Sequence, residues 1–212
     1  MTDPHHAPTD IDRALVRRFQ GGDRHAFVEL MERHERRVYN LAYRMLGRTE
    51  DARDATQDAF LLCYRNLERF RGDAAFGTWL YRIATNACYD AIRKRPLTVS
   101  MDALSSEPPA TDHADKASAA ADVHRALQAV PPEFRSVLIL FELQDVSVGD
   151  IAQALEIPVG TVKSRLHRGR AALGRALTEA AGSPPPRPRS PAAAPGPGEP
   201  KTAPAPSNPP NP

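Results

Sequence analysis

Cysteine is scarce in this 212-residue chain: there are two, Cys63 and Cys88, both within helix-patterned segments and without CxxC spacing. That excludes a disulfide-stapled scaffold and makes a reduced, cytoplasmic setting the expectation. No apolar run approaches the roughly 18 residues a membrane span requires, and the polar start (Thr2, Asp3, His5, His6) lacks the apolar region of a signal peptide. Net charge is also nearly absent: 28 Lys and Arg face 26 Asp and Glu, leaving +2, so bulk charge does not point to nucleic acid. Also lacking are a GxSxG elbow, a Walker loop, an HExxH helix and any paired nucleophile and base. The histidines (His5, His6, His25, His34, His113, His124, His167) are scattered. An enzyme, including a metal-dependent hydrolase, therefore has no residues to rest on. No catalytic residue, metal, cofactor or small-molecule substrate is expected.

What is present is helical periodicity. Ile11, Leu15 and Phe19 recur at spacing four before Gly21-Gly22. Asp23 is placed to cap a longer helix carrying Phe27, Leu30, Met31, Val38, Leu41, Ala42 and Met45, which Gly47 ends. Thr49 is placed to cap the next, striped by Ala52, Ala55, Ala59, Phe60 and Cys63. After the break at Phe70–Asp73, Thr78 opens a helix to about Lys94, and Pro96 stops it. Period-two alternation is missing, which predicts an all-α fold. Residues 96–121 differ in kind. Pro108-Pro109 and the run of acids through Asp102, Glu107, Asp112, Asp115 and Asp122, against the one Lys116, read as a flexible acidic linker. Helical pattern resumes over 122–181. Residues 182–212 hold 13 of the 21 prolines and no aromatics, a composition that cannot offset its ordering entropy and predicts a disordered tail. Two small helical domains, 10–95 and 122–181, on a leash fit this pattern better than one compact body.

Ser147–Leu155 reads as a short helix capped by Ser147, Glu156-Ile157 as a turn, and Pro158 as the tolerated first-turn proline of a second helix. This is helix-turn-helix spacing. Val162, Leu166 and Leu173 share one side of the second helix, with Gly169 allowing close packing, while Lys163, Ser164, His167 and Arg168 share another. Five bases and no acid lie between Val159 and Arg175. Such a face suits a DNA major groove, where arginine grips guanine and basic neighbours hold phosphates; a plain solvated face would mix acids with bases.

In the first domain, Asp51, Asp54 and Asp58 stand beside Gln57 at spacings of three and four. Either they form a solvated face with favourable first-turn acids, or they dock a basic partner. No histidine at helical spacing completes a metal site. The loop Phe70, Arg71, Gly72, Asp73, Ala74, Ala75, Phe76 and Gly77 leads into Thr78–Asn86. Small residues between aromatics can pocket one extruded base, with Asn86 two turns on to bond its edge. Trp79 and Tyr81 fit a buried core better than DNA stacking.

The segments Phe70–Asn86, Asp51–Phe60 and Pro158–Arg168, in this order, resemble the promoter-melting, core-polymerase-binding and −35-reading segments of extracytoplasmic-function (ECF) sigma factors of the sigma-70 group. The resemblance implies an RNA polymerase sigma factor built from regions 2 and 4. Asp51, Asp54, Gln57 and Asp58 would face core RNA polymerase at its β′ clamp, with the β subunit a further contact. Phe70 to Gly77 and Asn86 would capture a flipped base of the −10 element. Lys163, Ser164, His167 and Arg168 would read the −35 element, with Thr161, Arg165 and Arg170 nearer the backbone. The partners implied are core polymerase, promoter DNA and an anti-sigma protein, often a membrane protein. Asp145 stands where the family commonly has glycine, Gly149 replaces a usual acid, and His167 fills a variable position; these bear on promoter sequence, not class. The alternative is a stand-alone helix-turn-helix regulator, in which the acidic stripe and the Gly-Asp loop have no role.

Overall fold

The computed structural model describes residues 8–95 and 114–180, and every regular element among them is helical. The tail and most of the expected linker lie outside the described residues. The first group comprises α1 (Pro8–Gln20), α2 (His25–Leu46), α3 (Thr49–Leu67) and α4 (Phe76–Lys94). The second comprises α5 (Ala114–Ala129), α6 (Pro132–Leu138), α7 (Val148–Leu155) and α8 (Val159–Ala180). A single wide π-type turn, Ile139–Leu143, continues α6.

The apolar stripes read from spacing form the core. Leu30, Val38, Leu41 and Met45 of α2 meet Ala52, Ala59 and Cys63 of α3 and Leu80, Ala84 and Cys88 of α4, all buried. Gly47 ends α2 in the left-handed conformation (φ +82°), and its N–H bonds the Tyr43 carbonyl. The Asp23 carboxylate accepts from the His25 backbone N–H at 3.0 Å at the start of α2. Thr49, expected as a cap, makes no capping bond; the flanking position falls to Arg48. Helix α1 departs more. Leu15, Val16 and Phe19 are buried, but Ile11 is half exposed and Asp12 takes the inward position. The reason is a partner that spacing cannot reveal: His34 Nε2 donates to Asp12 Oδ2 at 2.8 Å and Arg33 Nε to Oδ1 at 3.0 Å. Burial alone would raise the Asp12 pKa, but these two residues outweigh it and hold it below the ordinary value.

Helix α5 begins at Ala114, inside the segment expected as linker up to residue 121. Residues 114–121 are rich in alanine without Gly or Pro, so helix propensity wins over the acidic signal. In the second group, Gly169 of α8 faces Leu138 of α6 so closely that a Cβ there would lie 2.9 Å from Leu138 Cγ and 3.3 Å from the Phe134 carbonyl oxygen.

The two groups also pack on each other, which the leash picture did not anticipate. Arg135, buried on α6, donates to the Met45 carbonyl of α2, to the Gln128 carbonyl at 2.6 Å and to the Val130 carbonyl at 2.9 Å. Burial, with Arg95 nearby, pushes its pKa down to about 10. Gln128 donates to the Arg44 carbonyl at 2.8 Å, and Tyr89 shares a 2.8 Å hydrogen bond with Ser136. His124 stacks on Tyr43 with ring centroids 4.4 Å apart.

Candidate nucleic-acid interface

The loop between α3 and α4 is fixed from below. Its turn uses Gly72 at φ +78°, a conformation that costs most residues strain. The Gln20 amide at the end of α1 donates to the Leu67 carbonyl at 3.2 Å and the Phe70 carbonyl at 2.9 Å. Phe70, Phe76 and Trp79 form an aromatic knot, with Phe70 4.8 Å from Trp79 and edge-on to Phe76. His34 sits edge-on to Phe76 at 5.2 Å, so the Asp12–His34 pair supports the start of α4.

Above this knot opens a cleft of about 540 Å³, within the range of small-ligand sites. Phe70, Arg71, Gly72, Asp73, Ala74 and Asn86 all line it. Ala75 is half-buried before α4, and Phe76 is buried among the knot. Trp79 lines the cleft while Tyr81 is buried. Arg82 stands exposed at the mouth one turn before Asn86. Sequence reasoning missed two contributors: the end of α3 (Leu62, Asn66) with Arg69 just beyond it, and Gln153 and Ala154 of α7.

The helix-turn-helix is built as its signals indicate. The Ser147 hydroxyl accepts from the Asp150 N–H at 3.1 Å, and Glu156 turns the chain at φ +53°. Asp145 adopts φ +54°, the left-handed region in which glycine is free of strain. Val162 and Leu166 face inward, leaving Lys163, Ser164, His167 and Arg168 together on the exposed face of α8. Thr161 and Arg165 are half-buried at its flank. Arg170 is exposed but engaged, since Glu142 accepts from it at 2.7 and 2.6 Å.

On α3, Asp54, Gln57 and Asp58 are exposed along one face, whereas Asp51 is half-buried in an ion pair with Arg95. Beside Gln57 lies an apolar groove formed by Phe27, Met31, Tyr39, Phe60, Leu61 and Tyr64. It went unread in the sequence; the available signal was Leu61 and Tyr64, which stand off the buried stripe of α3 and are exposed.

Two family descriptions match the chain, Sigma-70 region 2 over residues 30–96 and Sigma-70 region 4 over residues 120–173. The chain is 38% identical over 180 residues to the RNA polymerase sigma-H factor of Pseudomonas aeruginosa, covering 78% of this chain and 93% of that one. The ECF RNA polymerase sigma factor SigM of Mycobacterium tuberculosis is 41% identical over 167 residues, with 78% and 84% covered. The chain belongs to the ECF sigma factors. Among solved structures, CnrH in complex with the cytosolic domain of CnrY superposes with a TM-score of 0.64 at 26% identity, over 80% of this chain and 98% of that one. The fold is therefore that of sigma regions 2 and 4, and the chain functions as an RNA polymerase sigma factor in transcription initiation. Among the described residues no helix is long and apolar enough to cross a membrane.

Proposed function

We propose that residues 10–95 act as region 2 and residues 122–181 as region 4, dividing the work by surface. The exposed acids Asp54 and Asp58 with Gln57, backed by the apolar groove, dock a basic element of the core polymerase β′ clamp; Asp51 serves that face from its pair with Arg95. Both charge complementarity and apolar burial then contribute to the same docking. Lys163, Ser164, His167 and Arg168 of α8 read −35 base edges in the major groove, while Thr161, Arg165 and Arg170 lie toward the phosphates.

The reading rests chiefly on the cleft over the aromatic knot. A base turned out of the −10 duplex can stack within it, and Asn86 offers donor and acceptor to its edge. Binding the unpaired non-template strand drives melting, because affinity for single-stranded DNA is lost when the strands rejoin. The protein makes and breaks no bonds itself; it binds in the cytoplasm, where polymerase and promoter DNA are. An anti-sigma protein is a further partner, a reading supported by the CnrH–CnrY complex.

Run-off transcription with core RNA polymerase on a genomic promoter library tests the whole. Discrete start sites that depend on this chain are expected, and those sites should weaken selectively with Asn86→Ala. If core polymerase with the chain initiates no differently from core alone, the reading is wrong.

A further inference from the structure

The cleft holds a second asparagine. Asn66, in the last turn of α3, lines it together with Leu62 one turn earlier, and Asn86 of α4 lines it too. The Asn66 side chain is exposed, yet it is not free to turn. Its Nδ2 donates to the Leu62 carbonyl at 2.8 Å, the back-bond across one helical turn that short polar side chains can make. A flip of the amide would set its oxygen against that carbonyl oxygen, two acceptors with no proton between them. The Asn66 oxygen is therefore the end left to accept from elsewhere. The backbone just past it is held as well, since Gln20 Nε2 donates to the Leu67 carbonyl at 3.2 Å and to the Phe70 carbonyl at 2.9 Å, and Leu67 is fully buried. Length also exceeds what one base requires. Trp79 and Asn86 lie seven residues apart on α4 and both line the cleft, a run of about 10 Å along the helix, whereas stacked nucleotides follow one another at about 3.4 Å. Phe70 and Trp79 supply rings, and Arg69 and Arg71 follow Asn66 in the chain as exposed cations lining the same cleft, a combination suited to stacked bases and the phosphates between them.

We propose that Asn66 reads a second unpaired base of the −10 element, next to the one that Asn86 meets, and selects adenine or cytosine there by accepting a hydrogen bond from the exocyclic amine. This role rests on the reading of the cleft as the −10 site and adds a second position to what the cleft recognises. Adenine and cytosine carry an amine where guanine and thymine carry a carbonyl oxygen. An acceptor of fixed orientation favours the first pair and repels the second, whereas an amide free to flip would serve both. The back-bond to Leu62 thus turns a permissive side chain into a selective one. A carbonyl-bearing base at this position would either face the Asn66 oxygen with its own or force the amide to abandon Leu62, and each alternative leaves a hydrogen bond unmade. In the duplex the amine is engaged in base pairing, so the contact forms only after the strands part. It therefore favours melting and choice of sequence together.

The test uses the full chain bound to core RNA polymerase and a fluorescent single-stranded oligonucleotide carrying the non-template −10 sequence of a promoter identified by run-off transcription. In a set of such oligonucleotides each adenine in turn becomes purine, and each cytosine the pyrimidinone that lacks its amine. Each change removes one amine and keeps the ring for stacking. With the wild-type complex, affinity should fall about threefold to tenfold at two positions, the contribution of one hydrogen bond at each. Asn66→Ala should weaken binding of the unmodified oligonucleotide by a similar factor and erase the sensitivity at one of these positions only. Asn86→Ala should erase the other. Alanine is the better helix former at this exposed site, so the Asn66 variant keeps its fold. Every amine sensitivity intact in Asn66→Ala overturns the assignment. Both variants erasing the same position would mean two amides on one base, and the second reading position falls. If the oligonucleotide binds the complex no better than it binds core polymerase alone, the base-cleft reading itself is wrong and the role of Asn66 falls with it.

Discussion

Two glycines on one helix allow a sharp test of packing. A Cβ at Gly169 would sit 2.9 Å from Leu138 Cγ, 3.0 Å from Leu138 Cδ1 and 3.3 Å from the Phe134 carbonyl oxygen; at Gly174, five residues on, it would meet nothing within 4 Å. Both lie inside α8, so Gly→Ala brings each the same gain in helix propensity, about 1 kcal/mol. At Gly174 that gain stands alone. At Gly169 it is opposed by overpacking. Leu138 is almost fully buried, and the Phe134 oxygen belongs to backbone, so neither can retreat without moving α6. Overpacking of this kind costs about 1 to 3 kcal/mol. Gly174→Ala should therefore stabilise by about 0.5 to 1 kcal/mol and Gly169→Ala should destabilise by up to about 2 kcal/mol. For a chain of this size each kcal/mol moves Tm by about 2 to 4 °C, so circular-dichroism melts should shift in opposite directions. If both variants move the same way by the same amount, Gly169 is not a contact between α6 and α8 and the placement of α8 on its support is wrong.

Other outcomes follow from the remaining surfaces. Asp54→Lys with Asp58→Lys should abolish co-purification with core polymerase while the helical signal is unchanged; undiminished capture would remove the acidic face from docking. Arg168→Ala should lose about 1 to 3 kcal/mol of discrimination at one −35 base pair, and an equal loss on every duplex would make it a phosphate contact instead. His124 gives a pH dependence. Burial lowers its pKa below 6.5, reinforced by the charges of Arg135 and Arg44 and opposed by its hydrogen bond to the Gly47 carbonyl. The folded state thus binds fewer protons than the unfolded one, so this group leaves stability unchanged above 6.5 and erodes it as pH falls from there toward the folded value. Urea midpoints at about pH 8 and about pH 5.5 should converge partly in His124→Gln, whose ring charge is gone; an unaltered difference would clear His124 of the effect.

How much of this was readable beforehand depends on the kind of interaction. The helices of region 2, the capped turn at Ser147 and the close approach at Gly169 were legible because spacing, caps and a missing side chain leave marks along the chain. Helix α1 shows where that ends. A stripe through Ile11, Leu15 and Phe19 and one through Asp12, Leu15, Val16 and Phe19 share Leu15 and Phe19, and only a partner on α2 decides between them. The cleft was half legible: its loop and Asn86 are contiguous in a motif, but its α3 and α7 walls come from distant sequence. The packing of the two halves was not legible at all. An acidic, proline-bearing stretch suggests separation, and the contacts that override it run from polar side chains to backbone carbonyls, which carry no periodic signature. The groove beside Gln57 escaped notice for a related reason, because exposed apolar residues are common and gain meaning only when seen side by side.

Arg135 shows what such contacts imply for change over time. Most of the oxygens it holds, those of Met45, Gln128 and Val130, are main-chain atoms that any amino acid would supply. Positions 45 and 130 can therefore be exchanged for other residues of similar size without unfastening the joint. Position 135 has no such freedom. A lysine there would bring one nitrogen to a set of acceptors spaced for a planar fork, leaving carbonyls dry and unbonded in the seam. A surface of that design tolerates turnover on one side and fixes a single residue on the other.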